Sequence, residues 1–262
     1  MILVSGSLAY DRIMNFPGYF RDHLLPEKLH QISVSFLINS LVEHFGGTAG
    51  NIAYNLALLG EKPVILASAG SDYSTYRSWQ IKNGIDVSRV HSVKSERTAA
   101  AYIMTDKADN QITAFHPGAM THRGTWNVER VSRSAKIAII SPGNLDDMRR
   151  LPTLYKKYKI PYIYDPGQRI PALSKYDLTR GMTGSKAVIM NDYELSMVQK
   201  KTGFTKKQLL DRIDILVTTL GERGSQIENR KSRIVVPPAK PRSIIDPTGA
   251  GDAYRAGFIY GL

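Results

Sequence analysis

An α/β fold built on a mostly parallel sheet is the architecture this sequence predicts, and two observations carry it. Short β-rich apolar runs recur along the 262 residues, and segments with helical periodicity separate them. Each run is too short for a buried helix and is followed by a turn or a polar stretch, as expected of strands buried on both faces in βαβ units. The runs are Met1–Val4, Val64–Ala67, Ile137–Ile140, Tyr162–Tyr164, Ala187–Met190 and Ile215–Thr218.

The elements follow in order. After the first strand, residues Arg12 to Phe45 show no clear crossover helix. Ala49 to Leu59 then reads as a helix: Ile52, Leu56 and Leu59 share a face, Ala53 and Ala57 flank it, and Gly60 stands where a helix stops. Asp72 is placed to cap a helix that runs to Asn83, with Gly84 as its stop. Residues Thr98 to His116 break the alternation again and predict two strands, Ala99–Thr105 and Gln111–His116, joined by the polar turn Asp106-Lys107-Ala108-Asp109-Asn110. These two insertions, about 12–45 and 98–117, are expected to pair as a small sheet over the carboxyl ends of the main strands and to act there as a lid. Pro166-Gly167 and Gly181 punctuate the later units, and neither a low-complexity tract nor a fixed-period repeat interrupts them. A single domain is expected.

Composition narrows the function. With no cysteine, disulfides, thiolate metal sites and cysteine nucleophiles are excluded. No apolar stretch reaches the roughly 20 residues of a membrane helix, and the N-terminus lacks a basic segment before its apolar run, so a soluble, cytoplasmic protein is expected. Thirty-five Lys and Arg against 23 Asp and Glu give a net charge of +12, which favours anionic partners. The basic residues are dispersed and accompany no nucleic-acid motif, so a phosphate-bearing small ligand fits better than nucleic acid.

The strongest chemical signal is Asp246-Pro247-Thr248-Gly249-Ala250-Gly251-Asp252-Ala253, leading into a helix. Glycines there let successive N–H groups face one concavity at a helix N-terminus, an anion site. A carboxylate in that place repels phosphate, so Asp252 makes sense as a general base that takes the proton from an attacking hydroxyl. The alternative is a helix-capping Asp in a glycine-rich turn. A second cluster, Gly46-Gly47-Thr48-Ala49-Gly50-Asn51, opens the first helix, and no Gly-Lys-Ser/Thr follows it, so it is not a P-loop. Asn51 both donates and accepts hydrogen bonds, which suits a polyhydroxylated substrate.

These two segments, with Asn55, resemble the signature segments of the ribokinase (PfkB) family of carbohydrate and nucleoside kinases. The strings Gly6-Ser7-Leu8-Ala9-Tyr10-Asp11, Phe16-Pro17-Gly18, Leu24 to His30, Ser33-Val34-Ser35-Phe36, Phe115-His116-Pro117-Gly118-Ala119-Met120 and Asn191-Asp192-Tyr193-Glu194 are similar to the bacterial sugar-kinase-like adenosine kinases of that family. The resemblance spans essentially the whole chain. It implies a ribokinase-like three-layer αβα sandwich and ATP-dependent phosphorylation of the 5′-hydroxyl of adenosine.

By the same resemblance, Asp252 is the base, and Gly249, Ala250 and Gly251 form the anion hole. Asp11, Gly47 and Asn51 would hold the ribose hydroxyls, with Ser7 and Ser35 nearby. Phe115 would stack on the base, Tyr102 being its rival. Asp165-Pro166-Gly167-Gln168-Arg169 ends another strand at the expected ligand edge, where Gln168 is placed to read a base and Arg169 to approach phosphate, the alternative being that both are simply solvated. Thr219, Gly221 and Gly224 would face ATP. Asn191 and Glu194 would hold a hydrated Mg²⁺, although the same spacing equally describes a helix cap. A homodimer through the lid strands and a monovalent-cation site near Asp246 are further implications. The histidines show no metal-ligand spacing.

Two other readings remain open from the sequence. One is a kinase for another nucleoside or a ribose-like sugar. The other arises because the chain stops at Leu262, soon after Asp252, where the family continues with helical segments that complete the ATP pocket. The C-terminal part of that fold is therefore expected to be absent, either in a fragment or in a catalytically impaired nucleoside- or nucleotide-binding protein.

Overall fold

Apolar residues alternate between the two faces of each short strand, and both faces are buried. In the first strand Ile2 and Val4 point to one side and Leu3 to the other; Ile139 opposes Ala138 and Ile140, and Ile189 opposes Val188 and Met190. A strand buried on both faces needs helices on both, and these two sets of side chains are the two cores of a three-layer αβα sandwich. The computed structural model describes residues 1–24, 30–31, 33–240 and 248–262.

The first half of the chain forms β1 (Ile2–Ser5), β2 (Ala9–Asn15), β3 (Ser40–Gly46), α1 (Thr48–Leu58), β4 (Pro63–Leu66), β5 (Ser68–Gly70), α2 (Ser74–Lys82), β6 (His91–Val93), β7 (Ala99–Thr105) and β8 (Gln111–His116). After α3 (Val128–Ser132), strands and helices alternate as β9 (Ile137–Ile140), α4 (Leu145–Lys157), β10 (Tyr162–Tyr164), α5 (Lys175–Met182), β11 (Ala187–Asn191) and α6 (Asp192–Thr202). Helix α7 (Lys206–Leu210), β12 (Ile215–Thr219), β13 (Ser225–Glu228), β14 (Arg233–Val236) and α8 (Ala250–Tyr260) complete the described elements.

The main sheet has the order β14-β13-β12-β11-β10-β9-β1-β4. The six strands from β12 to β4 are parallel, and β13 and β14 add on antiparallel. From β1 the chain steps first to β4 on one side and later to β9 on the other. This reversal opens a crevice beyond the carboxyl ends of β1 and β9, the place where open α/β sheets bind ligands. Helices α1 and α8 lie together on one face, burying Ile52, Ala53 and Leu56 beside Ala256 and Ile259. Helices α4, α5 and α6 cover the other through Leu151, Leu178 and Val198.

The two insertions form the expected small sheet, in the order β3-β2-β7-β8. The first insertion begins pairing at Ala9, three residues earlier than expected, because Ala9 and Tyr10 already bridge Ala99 and Ala100. The Asp106 carboxylate pins the β7–β8 turn by accepting from the N–H groups of Phe20, Ala108 and Asn110.

Two local expectations need correction. Leu59 is exposed, because it ends α1 as the cap instead of continuing its buried face, while Gly60 follows as the expected stop with φ of 86°. Asp72 does not cap α2, whose cap residue is Tyr73. Its carboxylate instead accepts from the Thr98 N–H at 2.7 Å and pairs with Arg97 at 3.0 Å, which ties the approach to β7 to the body.

Candidate active site

Two glycines set the two helix starts that frame the crevice. Gly47 has φ of 87°, and a Cβ there would lie 2.6 Å from the Ser7 carbonyl oxygen and 2.7 Å from the Ala9 nitrogen. Only glycine lets the start of α1 press against the β1–β2 connection. Thr48 then locks the contact: its N–H donates to Ser7 Oγ at 3.0 Å, and its hydroxyl donates to the Pro142 carbonyl at 2.7 Å. Gly249 is the cap of α8, with φ of 78° and no side chain bonded to the helix end. Among the described residues no side chain caps the first-turn N–H groups of α8, the arrangement of a helix start that receives an anion.

Asp252 stands in that first turn. The Asn51 amide donates to its carboxylate at 2.9 Å. Burial pushes the Asp252 carboxyl up to about 6, and the negative charges of Asp165 and Asp11 add to the rise; the Asn51 hydrogen bond and the Arg255 charge oppose it. A carboxylate poised near neutral pH, within a cleft, is suited to proton transfer.

Two cavities meet at Asp252. One, of about 320 Å³, is lined by Ser7, Asp11, Gly47, Asn51, Phe115, Met120, Pro142, Gly143, Gln168 and Arg169 as well as Gly249 and Asp252. The small sheet supplies Asp11 and Phe115, so this cavity lies between the sheet and the body. The other, of about 280 Å³, is lined by Asp165, Asn191, Glu194, Thr219, Gly251, Asp252 and Arg255. Thr48, Pro142, Gln168, Gly249 and Asp252 border both.

Most of the residues singled out in the sequence therefore converge. Ala250 lines an adjoining cavity together with Asp11, Asn51 and Gly249. Three do not join them. Ser35 is exposed in an irregular segment and lines neither cavity. Gly221 and Gly224 shape the turn between β12 and β13; Gly224 has φ of 83°, and a Cβ there would strike the Val236 carbonyl oxygen at 2.1 Å, a backbone requirement in itself. Between the rival aromatics, Phe115 lines the cavity and is half exposed, while Tyr102 accepts a 2.6 Å hydrogen bond from Arg12 outside it. Asp246 and Pro247, with the proposed monovalent-cation position, lie outside the described residues, as do residues 25–29 of the first insertion.

Asn191 and Glu194 form a reciprocal helix cap at the start of α6. Asn191 Oδ1 accepts from the Glu194 N–H at 2.7 Å, and Glu194 Oε2 accepts from the Asn191 N–H at 2.8 Å. Burial raises the Glu194 carboxyl. Among the described residues no cluster of three His, Cys, Asp or Glu could cage a metal. The half-buried carboxylate of Glu194 and the Asn191 amide line the same cavity as Gly249 and Gly251, and this donor set fits Mg²⁺, which commonly keeps its waters and takes one or two carboxylates plus phosphates.

Sequence reasoning missed the ion pair that braces the site. Arg255 makes a two-pronged contact with Asp165, one bond running from Nη2 to Oδ1 at 2.9 Å and the other from Nε to Oδ2, and its Nη1 donates to the Gly251 carbonyl at 2.8 Å. Nothing local in the sequence links positions 165 and 255. Pro142 and Gly143 carried no motif signal as cavity walls, and Met120 belonged to a family-like string without being singled out in it.

Comparison with known proteins identifies the family and the fold. The family model for pfkB family carbohydrate kinases matches residues 9–262. A nucleoside kinase of Methanocaldococcus jannaschii is 34% identical over 257 residues, covering 97% of this chain and 80% of that protein. The nucleoside kinase of Burkholderia thailandensis, solved in complex with inosine, superposes over the whole chain and 83% of its own length, with a TM-score of 0.83 and 35% identity. Its complex with ADP-inosine covers the whole chain and 82% of its own length, with a TM-score of 0.81 and 36% identity. The fold is the ribokinase-like α/β sandwich, and the chain belongs to the pfkB family of carbohydrate kinases.

Proposed function

We propose that this protein transfers the γ-phosphoryl group of ATP to the 5′-hydroxyl of a nucleoside. The observation that carries this reading is the position of Asp252, at the junction of a cavity sized for a small polar molecule and a second one at the uncapped start of α8. Asp11 and Asn51 would receive the ribose hydroxyls, and Phe115, Met120 and Gln168 would surround the base. Asp252 would take the hydroxyl proton as the new O–P bond forms and the bond between the γ-phosphorus and its bridging oxygen breaks, leaving ADP. The N–H groups of Gly249, Ala250 and Gly251 would bear the charge on the transferring group. Mg²⁺, held through water by Glu194 and Asn191, would supply charge neutralisation at the phosphates, and Thr219 would border the nucleotide.

Adenosine is the substrate of first choice, and the nucleoside-kinase relatives support the nucleoside class. The complex of the Burkholderia enzyme with inosine favours a second reading, in which a 6-oxopurine nucleoside is preferred. ATP-dependent product formation from adenosine, inosine, cytidine and free ribose at equal concentrations separates these. The proposal expects a nucleoside to exceed ribose in kcat/KM by at least tenfold; a preference for ribose would overturn it, and inosine ahead of adenosine selects the second reading.

A further inference from the structure

Arg255 borders the cavity at the start of α8, one turn beyond Asp252 on the same helix face, yet its guanidinium is already committed. Two of its N–H groups meet the Asp165 carboxylate and a third meets the Gly251 carbonyl. Both side chains are buried, Arg255 to 11% and Asp165 to 1% exposure. A bidentate Arg–carboxylate pair fixes direction as well as distance. Here it joins the first turn of α8 to the segment that leaves β10, two elements with no covalent neighbourhood.

We propose that Asp165 and Arg255 are positioning residues for phosphoryl transfer, holding the α8 turn so that Asp252 and the N–H groups of Gly249 to Gly251 keep one geometry, with a fixed cation balancing the carboxylates. This rests on the kinase reading above. Among the described residues, the charged groups facing Asp252 are Asp11 from β2, Asp165 after β10 and Arg255 from its own helix; Arg169 lines the same cavity, and Glu194 of α6 faces Arg255. Helix α1 contributes the neutral Asn51. Among the described residues Arg255 is thus the cation in direct contact with this carboxylate cluster, and breaking the pair from either side changes the field at Asp252 in opposite directions.

That opposition tests the charge balance, and the charge-conserving Arg255→Lys tests the positioning, which a pair that merely stabilises the fold would not need. Arg255→Gln removes the balancing cation, so the acid limb of kcat/KM should move up by about one pH unit; Asp165→Asn removes a like charge, so the limb should move down. The double variant should return the limb close to that of the parent while kcat stays at least tenfold low, the clamp still being absent. Arg255→Lys keeps the charge without the fork: it should hold the limb in place, lose kcat and leave the nucleoside KM within about threefold. Limb shifts of the same sign in the two single variants, or full kcat in Arg255→Lys, overturn the proposal. Carboxyl ¹³C titration of Asp252 reads the same shifts without turnover, so failure of the kinase reading is distinguishable from failure of this one, and thermal melts confirm that each variant is folded.

Discussion

Asn51 and Asp252, 201 positions apart in the chain, are joined by a 2.9 Å hydrogen bond from the Asn51 amide to the Asp252 carboxylate. Each residue stands in the opening turn of a helix introduced by a positive-φ glycine, Gly47 for α1 and Gly249 for α8. Because α1 and α8 pack side by side on one face of the sheet, the two glycine-rich segments meet end to end. The amide supports the ionised form of a carboxylate that burial alone would leave protonated at mildly acidic pH.

Replacing Asp252 by Asn should separate activity from stability. Loss of the general base lowers kcat by about 10²–10⁴-fold with nucleoside binding largely kept. The folded carboxyl is raised from 3.8 to about 6, so folded protein binds the proton more tightly than unfolded chain between those values. Stability from this group is therefore greatest below about pH 4, declines as pH rises to about 6, and stays reduced above it. Asp252→Asn should be more stable than the parent at pH 8 by on the order of 2 kcal/mol, and equal to it near pH 4. Denaturant unfolding at the two pH values, beside initial rates, checks both halves.

The pH profile has a defined sign. A base works ionised, so kcat/KM should be full at pH 8 and fall as pH drops through about 6. Asn51→Ala removes a hydrogen bond that favours the charged carboxylate, so its acid limb should lie at higher pH than the parent's. A limb that stays put, or moves down, contradicts the assignment of Asp252 as the base.

Much of this was legible in the chain because the relevant signals are local. All six parallel strands fall within one residue of their predicted ends, since an apolar run between turn residues has few other uses in an α/β fold, and β7 and β8 match their predicted bounds. Strand β2 was not legible: Asp11, Arg12 and Asn15 interrupt its apolar pattern, because it pairs within a half-exposed sheet. Asn191 and Glu194 show a different limit. A capping box and a water-bridged metal position ask for the same residues at the same spacing, and the reciprocal hydrogen bonds appear only in the folded structure. The Asp165–Arg255 pair was invisible because ion pairing across 90 positions leaves no periodicity.

Gly47→Ala should damage both fold and substrate binding. The added methyl meets the backbone of Ser7, Leu8 and Ala9 at 2.6 to 2.9 Å, and φ of 87° strains any L side chain. Backbone strain of this kind costs on the order of 1–3 kcal/mol before the clash is counted. Relief would push α1 away from the β1–β2 connection, taking Asn51 with it. A lowered Tm together with a raised nucleoside KM is the expected result. Gly60→Ala is the control: it shares the positive φ, with nothing within 4 Å of its Cβ, so it should lose stability without a change in KM.

Phe115 and Tyr102 lie on neighbouring strands of the small sheet, and substitution distinguishes their roles. Phe115 is half exposed and borders the larger of the two cavities that meet at Asp252, so the parent fold gains little from its ring until a ligand covers it. Aromatic contact of this sort is worth about 0.5–1.5 kcal/mol, so Phe115→Ala should raise the nucleoside KM by roughly threefold to tenfold with little change in Tm. Tyr102 holds Arg12, which also pairs with Glu43 across β2 and β3, on the side away from that cavity. Tyr102→Phe should therefore leave KM unchanged. If Tyr102→Phe raised KM and Phe115→Ala did not, the base would have to contact the small sheet elsewhere, and the cavity that Phe115 borders would not be its site.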